Sequence, residues 1–409
     1  MSGKVIIVGG SHAAVACADN LRKLDYDGPI AIHSREPHLP YQRPPLSKGY
    51  MSGAVSMDRL LLRPQQWYDD AQIDLHLSSD VTAIDRTAKQ VVTGTGERHD
   101  FDALVLATGA DPRMLSASAG GALPNVFLMR DLGDADALKA VMTPGKKVVI
   151  IGGGYIGLEA AAEAAKTGLD VTVVEASSRI LQRVACRETA DSFRALHAAH
   201  GVRIIEDTQI TGIVEGDDAK ASSVTLDNGD ALACDLVIVG IGVSPNTELA
   251  VAAGLDVAVG ILVDEFGRTD DPAIYACGDC TVLPMNRMPT RLESVQNAHD
   301  QAMIVAHNIA GQETAYDPEP WFWSDQYDMK LQIAGLNRGY DTVVTRPGKR
   351  EGSVSHFYFQ GETFLAADCL NDGATYMMCR KILAQDLALT PAMAADEAFD
   401  LRGFANGGR

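Results

Sequence analysis

Short, unbroken apolar runs recur along the chain, and two of them lead straight into glycine. Residues 5–8 (Val-Ile-Ile-Val) run into Gly9, and residues 148–151 (Val-Val-Ile-Ile) run into Gly152. Each is followed by an alanine-rich stretch of helical periodicity and then by a second β-branched run, at residues 29–33 and 170–175. Continuous rather than alternating apolar runs mark strands buried on both faces of a parallel sheet. Strand, glycine turn, helix, strand therefore occurs twice, as two βαβ mononucleotide units. Residues 101–109, 235–245 and 274–280 read as further buried strands ending in Thr-Gly, Gly-x-Gly and Gly-Asp turns. From residue 321 the period changes to two. Strands are expected at 330–334, 340–345, 353–360 and 363–368, then a helix over 374–385, and 403–409 reads as a loose tail. The pattern predicts an α/β fold of two Rossmann-like dinucleotide-binding domains followed by a small C-terminal α+β domain.

The glycines carry the first chemical argument. Gly152, Gly154 and Gly157 stand in full G-x-G-x-x-G spacing between a strand and a helix. The first turns the chain, the second lets backbone approach a pyrophosphate, and the third lets helix and strand pack closely. Glu175 closes the second strand, where a carboxylate accepts from a ribose 2′-hydroxyl and repels a 2′-phosphate, so NADH is favoured over NADPH. The first copy reads G-x-S-x-x-A, with Ser11 and Ala14 in place of two glycines, and Ser34, Arg35 and Glu36 follow its second strand. That turn is open to two readings, a cofactor site or an empty, degenerate turn.

Composition narrows the class. At 409 residues, two or three cores are expected. A net charge of −19 opposes binding to nucleic acid or anionic membrane. No apolar run approaches the ~18 residues of a bilayer span. Seven scattered cysteines form no disulfide framework, which places the protein in the cytoplasm. The pair Cys277-x-x-Cys280 encloses the Gly-Asp turn and reads as structural. His197 and His200 have metal-ligand spacing but no further ligand nearby. They read as a solvated helix end, and no metal site is expected.

Five segments together resemble a known family. Ala107-Thr-Gly109 and Gly278-Asp279 are general marks of the flavoproteins with two dinucleotide-binding domains. Residues 39–48 (LPYQRPPLSK), 291–298 (RLESVQNA) and 320–327 (PWFWSDQY) are similar to the ferredoxin reductases of the putidaredoxin reductase type, which feed bacterial cytochrome P-450 and ring-hydroxylating oxygenases. The resemblance implies a glutathione reductase-like arrangement. A discontinuous FAD domain would span 1–112 and 244–320, an NADH domain 113–243, and a C-terminal domain 321–409. It places Gly9, Ala13, Ala14 and Ala107 along FAD, with Arg35, Val81 and Arg130 on its adenosine side. Arg43 would lie by the phosphates, Pro45 and Lys48 by the isoalloxazine, Asp279 by the ribityl chain, and the Val295 N–H at the pyrimidine edge. Gly152, Gly154, Ile156, Gly157, Glu159, Glu175, Arg183 and Gly242 fall on the NADH side.

The implied activity is hydride transfer from NADH to FAD and single-electron transfer to a [2Fe–2S] ferredoxin, the flavin converting between the two. Lys48 is the expected cation beside the flavin ring and Glu159 its partner. The plainer alternative is a solvated lysine on a proline-stiffened loop. No cysteine lies between Ser34 and Lys48, unlike the disulfide, peroxide or coenzyme A reductases of this fold. An NADH oxidase or quinone-type reductase, and a signalling flavoprotein of the apoptosis-inducing-factor type, are the competing functions. Residues 321–409, with nine basic and eleven acidic side chains, are far less acidic than the rest. An acidic ferredoxin would dock where repulsion is least, and Arg287, Arg291, Lys330, Arg338, Arg380 and Lys381 are the candidate contacts. Trp321 and Trp323 belong either to the core or to a flavin or docking edge.

Overall fold

The computed structural model describes residues 2–285 and 288–407. The chain folds as two compact units, one drawn from residues 1–43, 56–111 and 243–318, the other from 44–55, 112–242 and 319–409.

In the first unit five parallel strands lie in the order Ile274–Ala276, Ala103–Leu106, Val5–Val8, Ile30–His33, Ile73–His76. Val5 pairs with Ile30 on one side and Ala103 on the other, so the apolar run is central and buried throughout. The helix His12–Lys23 presents Ala13, Ala14, Cys17, Ala18 and Leu21 to this sheet. The three alanines and Cys17 are small and let the helix Val295–Ile309 pack close, through Ala298, Ala302, Val305 and Ala306. A three-stranded antiparallel sheet covers Val81–Asp85, Gln90–Thr93 and Arg98–Asp100.

The second unit repeats the plan in the order Arg203–Ile205, Asp170–Val174, Lys147–Ile151, Leu236–Val239, Val126–Phe127. The helix Tyr155–Lys166 follows its central strand. The helix Leu132–Val141 begins with a reciprocal capping box between Asp131 and Asp134. The same unit holds the antiparallel sheet Trp321–Gln326, Met329–Gly335, Thr363–Leu370, Val354–Gln360, Thr342–Pro347. The helix Gly373–Ala384 packs on this sheet. Phe193 of the helix Arg187–Ala199 shares a core with Leu158, Leu331 and Leu370, joining this sheet to the repeat.

Two expectations need correction. Residues 401–405 are a short helix rather than the start of a loose tail, because Leu401 and Ala405 are buried in the C-terminal core; Gly408 and Arg409 lie outside the described residues. His197 is not solvated: its ring is fully enclosed and bonds to Gln326, while His200 alone is exposed.

Candidate functional site

At the head of the first glycine turn only glycine fits. Gly9 has φ +125°, and a Cβ there would lie 2.1 Å from the Ala107 carbonyl oxygen. Its N–H donates to the His33 carbonyl (2.9 Å), and the Ala107 N–H donates to the Val8 carbonyl (2.8 Å). Ser11 is the N-cap of the following helix yet makes no side-chain cap bond, which leaves the first helical N–H groups to another acceptor. The Gly278-Asp279 turn closes against this helix start, 3.2 Å separating the Ala13 methyl from where a Gly278 Cβ would be. Gln301 locks that turn, its Oε1 accepting from the Gly278 N–H (2.8 Å) and the Thr281 hydroxyl (2.9 Å). Val295 opens its helix under a Ser294 cap, so its N–H has no intrahelical partner. Gln301 Nε2 and Gln296 Oε1 are buried without a partner among the described residues, as expected of groups that meet a ligand. Ala14, Ala107 and Asp279 therefore share this end of the sheet with Gly9, Ala13 and Val295, and the residues present fit a bound dinucleotide.

Around that turn the charged residues are held by neighbours. Glu36 carries Arg43 on one oxygen and the Tyr41 hydroxyl on the other, and the Arg43 guanidinium lies over the Tyr41 ring at 5.3 Å. Arg35 is half-exposed and paired with Asp111 at 2.7 Å. Val81 is buried at the start of its strand. Thr108 and Asn246 bond reciprocally across the Thr-Gly turn, at 2.7 and 3.0 Å. Asn246 and Gln301 lie outside the sequence motifs, and the pairing of Glu36 and Tyr41 with Arg43 is not legible within them. Only their hydrogen bonds reveal Asn246 and Gln301.

The second glycine turn lies in the second unit. Gly152 has φ +109°, with the Gly240 carbonyl oxygen 2.4 Å from its would-be Cβ, and a Cβ on Gly157 would strike the Gly152 carbonyl at 2.1 Å. Gly154, the N-cap, faces open space, and Ile156 beside it is 42 % exposed, unusual for an apolar side chain at a helix start. Glu175 accepts the Gly153 N–H on one oxygen and the Ser177 N–H on the other, each at 2.7 Å. It fixes the loop while each oxygen keeps a lone pair for a further donor. The exposed Arg183 brings a guanidinium nitrogen 3.6 Å from where a Gly242 Cβ would be. Arg130, expected with the adenosine contacts, belongs to this unit, where its N–H donates to the Asp134 carboxylate that caps the next helix.

The turn Pro44–Ser47 and Lys48 are also part of the second unit. Lys48 Nζ lies 3.0 Å from Glu159 Oε1, and the ammonium sits 6.0 Å from the centre of the Trp323 ring. Glu159 is 6 % exposed and also accepts from the Ser324 hydroxyl (2.7 Å, Oε1) and the Ser47 hydroxyl (2.9 Å, Oε2). Burial pushes its carboxyl above the usual range, while Lys48, Ser324 and Ser47 pull it back. The solvated-lysine alternative is overturned, because Lys48 is paired with the buried Glu159 and three further side chains, Ser47, Ser324 and Trp323, converge on the pair.

All seven cysteines are free and buried. Burial pushes the Cys277 and Cys280 thiols upward, away from the reactive thiolate. Of the candidate docking residues, Arg287 lies outside the described residues. Arg291 pairs with Glu293, Arg380 covers the Trp321 ring at 5.3 Å, Lys381 reaches Asn406, and Lys330 and Arg338 are exposed. Trp321 and Trp323 are half-buried with ring centres 5.6 Å apart.

Residues 3–302 match the pyridine nucleotide-disulphide oxidoreductase family and residues 321–405 the reductase C-terminal family. The chain is 43 % identical to rhodocoxin reductase of Rhodococcus erythropolis over 97 % of its own length and 93 % of that protein's. It is 38 % identical to putidaredoxin reductase of Pseudomonas putida over 97 % and 96 %. Among solved structures, the covalent putidaredoxin reductase–putidaredoxin complex matches at 37 % identity with a TM-score of 0.96, covering 99 % of both chains. The ferredoxin reductase for the CYP199A2 system of Rhodopseudomonas palustris matches at 42 % and 0.95, covering 98 % and 99 %. With two glycine turns, no exposed cysteine and this similarity along its whole length, the chain belongs to the pyridine nucleotide-disulphide oxidoreductases and, within them, to the ferredoxin reductases of the putidaredoxin reductase type.

Proposed function

We propose that the protein is an NADH-dependent FAD ferredoxin reductase that passes electrons singly to a [2Fe–2S] ferredoxin, which in turn feeds a cytochrome P-450 or ring-hydroxylating oxygenase. The observation that carries this reading is the second glycine turn, sterically closed at Gly152 and Gly157 and governed by a carboxylate, occurring in addition to a first turn closed at Gly9 in a separate parallel sheet. Two such turns call for two dinucleotides. FAD, when bound, accepts an electron pair and releases electrons one at a time.

The residues take the following parts. Gly9, Ala13, Ala14 and Ala107 admit the FAD pyrophosphate to the first turn, with Arg35, Val81 and Arg130 toward its adenosine side. Arg43 neutralises phosphate, Asp279 meets the ribityl chain, and the Val295 N–H meets the pyrimidine edge of the ring. Gly152, Gly154 and Gly157 admit the NADH pyrophosphate. Glu175 takes its ribose hydroxyls, and Ile156, Arg183 and Gly242 flank it. Pro45 and Lys48 face the isoalloxazine, where the ammonium favours negative charge on the ring and Glu159 balances that ammonium. The FAD domain takes residues 1–112 and 244–320, the NADH domain 113–243, and the C-terminal domain 321–409. We place the protein in the cytoplasm, which the seven unpaired cysteines support. No helix among the described residues is long and apolar enough to cross a membrane.

The test is anaerobic addition of NADH, then NADPH, to the yellow protein, followed by a [2Fe–2S] ferredoxin with cytochrome c as the final acceptor. Fast bleaching by NADH, slow bleaching by NADPH and ferredoxin-dependent cytochrome c reduction are expected. Bleaching without ferredoxin dependence moves the function to an oxidase, and a chain that takes up no flavin sinks the reading.

A further inference from the structure

A line of buried polar side chains in the second unit ends on Glu159. Ser324 and Gln326 alternate on the strand Trp321–Gln326 and so share one face of it, and both are enclosed, as is His197 on the helix Arg187–Ala199. His197 Nε2 lies 2.8 Å from Gln326 Oε1, Gln326 Nε2 lies 3.2 Å from Ser324 Oγ, and Ser324 Oγ lies 2.7 Å from Glu159 Oε1. Lys48 reaches the same carboxylate oxygen at 3.0 Å.

The direction of every bond follows from the last one. An ionised carboxylate only accepts, so the single proton of the Ser324 hydroxyl points to Glu159. Ser324 Oγ is then left to accept, and the Gln326 NH2 group supplies the donor. Gln326 Oε1 must in turn accept, which places the His197 proton on Nε2. Among the described residues His197 Nδ1 is buried without a partner, which fits the bare nitrogen of a neutral ring. Desolvation favours that neutral form, as does nearby His200, while the Gln326 bond opposes it. His197, Gln326 and Ser324 thus form a one-way series of donors ending on Glu159, and serial donors polarise one another. The other groups facing Glu159 are Lys48 and Ser47 from the proline-rich turn and Tyr155 from its own helix. Those facing His197 are His200 of its own helix and the Tyr327 ring at 5.3 Å. A series with only a packing task would cost less if it were apolar.

We propose that Ser324, Gln326 and His197 are positioning residues that keep Glu159 ionised against Lys48 and so set how much uncompensated positive charge Lys48 shows the flavin. This rests on the proposed placement of Lys48 by the isoalloxazine. While Glu159 is charged the pair is neutral. Lose a donor and Glu159 takes up a proton more readily, Lys48 is left unbalanced, and the anionic reduced ring is favoured.

The test compares Ser324→Ala and Gln326→Leu with Ser324→Thr, which retains the hydroxyl, and with Glu159→Gln as the limiting case. In anaerobic spectroelectrochemical titrations from pH 6 to 9, Ser324→Ala is expected to favour the reduced flavin at least tenfold at the acid end. That is about 30 mV toward positive for a two-electron couple. The difference should shrink as pH rises, and Ser324→Thr should stay near wild type. Infrared difference spectra give a second readout that needs no flavin. Ser324→Ala should show a protonated carboxyl band, absent from Glu159→Gln, at a pH where the wild type shows carboxylate. Should Gln326→Leu fail to fold, His197→Phe against His197→Gln makes the same comparison from the far end of the series. Folded variants with wild-type midpoints, pH profiles and infrared bands would overturn the proposal while leaving the reductase assignment intact. A wild-type chain without flavin would overturn the assignment, and the infrared comparison would still decide whether the series acts on Glu159.

Discussion

Asp368 and His33 are buried ionisable groups with opposite consequences for stability. Asp368, on the strand Thr363–Leu370, is wholly enclosed; one oxygen receives the Tyr358 and Thr189 hydroxyls and the other has no partner among the described residues. Burial pushes its carboxyl up to about 6. The folded state therefore binds a proton that the unfolded chain gives up at lower pH, near the ordinary carboxylate value. The resulting stability is fully present below about 4 and lost as pH rises through about 6, on the order of 3 kcal/mol. In Asp368→Asn this pH-dependent part should vanish, so the variant compares better with wild type at pH 8 than at pH 5 in chemical denaturation. An unchanged difference at the two pH values would show that the carboxyl is already ionised in the fold. His33 behaves the other way. It is packed against His76 and His99 at ring distances of 4.5 and 4.8 Å, with Ser79 on its Nδ1 and Lys4 and Asp74 nearby. Burial, then those histidines, push it down to about 4. Its contribution is full above about 6.5 and is lost as pH falls toward 4. His33→Gln should flatten the acid limb of the stability profile, and an identical acid limb would refute the assignment.

At the scale of elements, local patterns were readable and long-range partnerships were not. The two glycine turns, their flanking strands and the helix Gly373–Ala384 follow from neighbours in sequence, and the structure reproduces them to within a residue or two. His197 meets Gln326 across 129 residues and Thr189 meets Asp368 across 179. No periodicity within one helix encodes such a meeting, so His197 reads as solvated until the strand that covers it is placed. Glu175 was found by spacing, but its grip on the Gly153 and Ser177 N–H groups was not. That grip sharpens the expected effects of mutation. Gly152→Ala places a methyl against the Gly240 carbonyl at positive φ, which forces the turn open. Flavin reduction by NADH should fall at least 100-fold while the flavin spectrum is retained, since a misplacement of about 1 Å costs on that order. Loss of flavin together with activity would mean that the first turn depends on the second. Glu175→Gln keeps the geometry and removes the charge that repels a 2′-phosphate. The preference for NADH over NADPH should drop about tenfold, the effect of roughly 1.4 kcal/mol. A preference unchanged in steady-state kcat/KM would assign selectivity elsewhere, with Arg183 the next residue to test.

For the molecule as a whole, the sum of charges decides how a partner approaches. The chain carries −19, and residues 321–409 contribute only −2 of it. If the partner ferredoxin is acidic, the long-range field repels it, and the least repulsive approach is over the C-terminal domain, where Lys330 and Arg380 lie. Arg380 is held over the Trp321 and Tyr376 rings at 5.3 and 5.9 Å, so its charge is fixed in place rather than swinging free. A repulsive global field with an attractive local patch has a distinctive salt dependence. Screening acts first on distant charges, because the Debye length is about 30 Å at 0.01 M and about 10 Å at 0.1 M. The rate of electron transfer from reduced protein to ferredoxin, followed by stopped flow, should therefore rise between 0.01 and 0.1 M salt and fall only above that, once the local pairs are screened. Arg380→Gln should lower the rate at every salt concentration and remove the fall at high salt. A rate that decreases steadily from the lowest salt, as for a pair steered together by opposite charge, would place the docking surface away from the C-terminal domain.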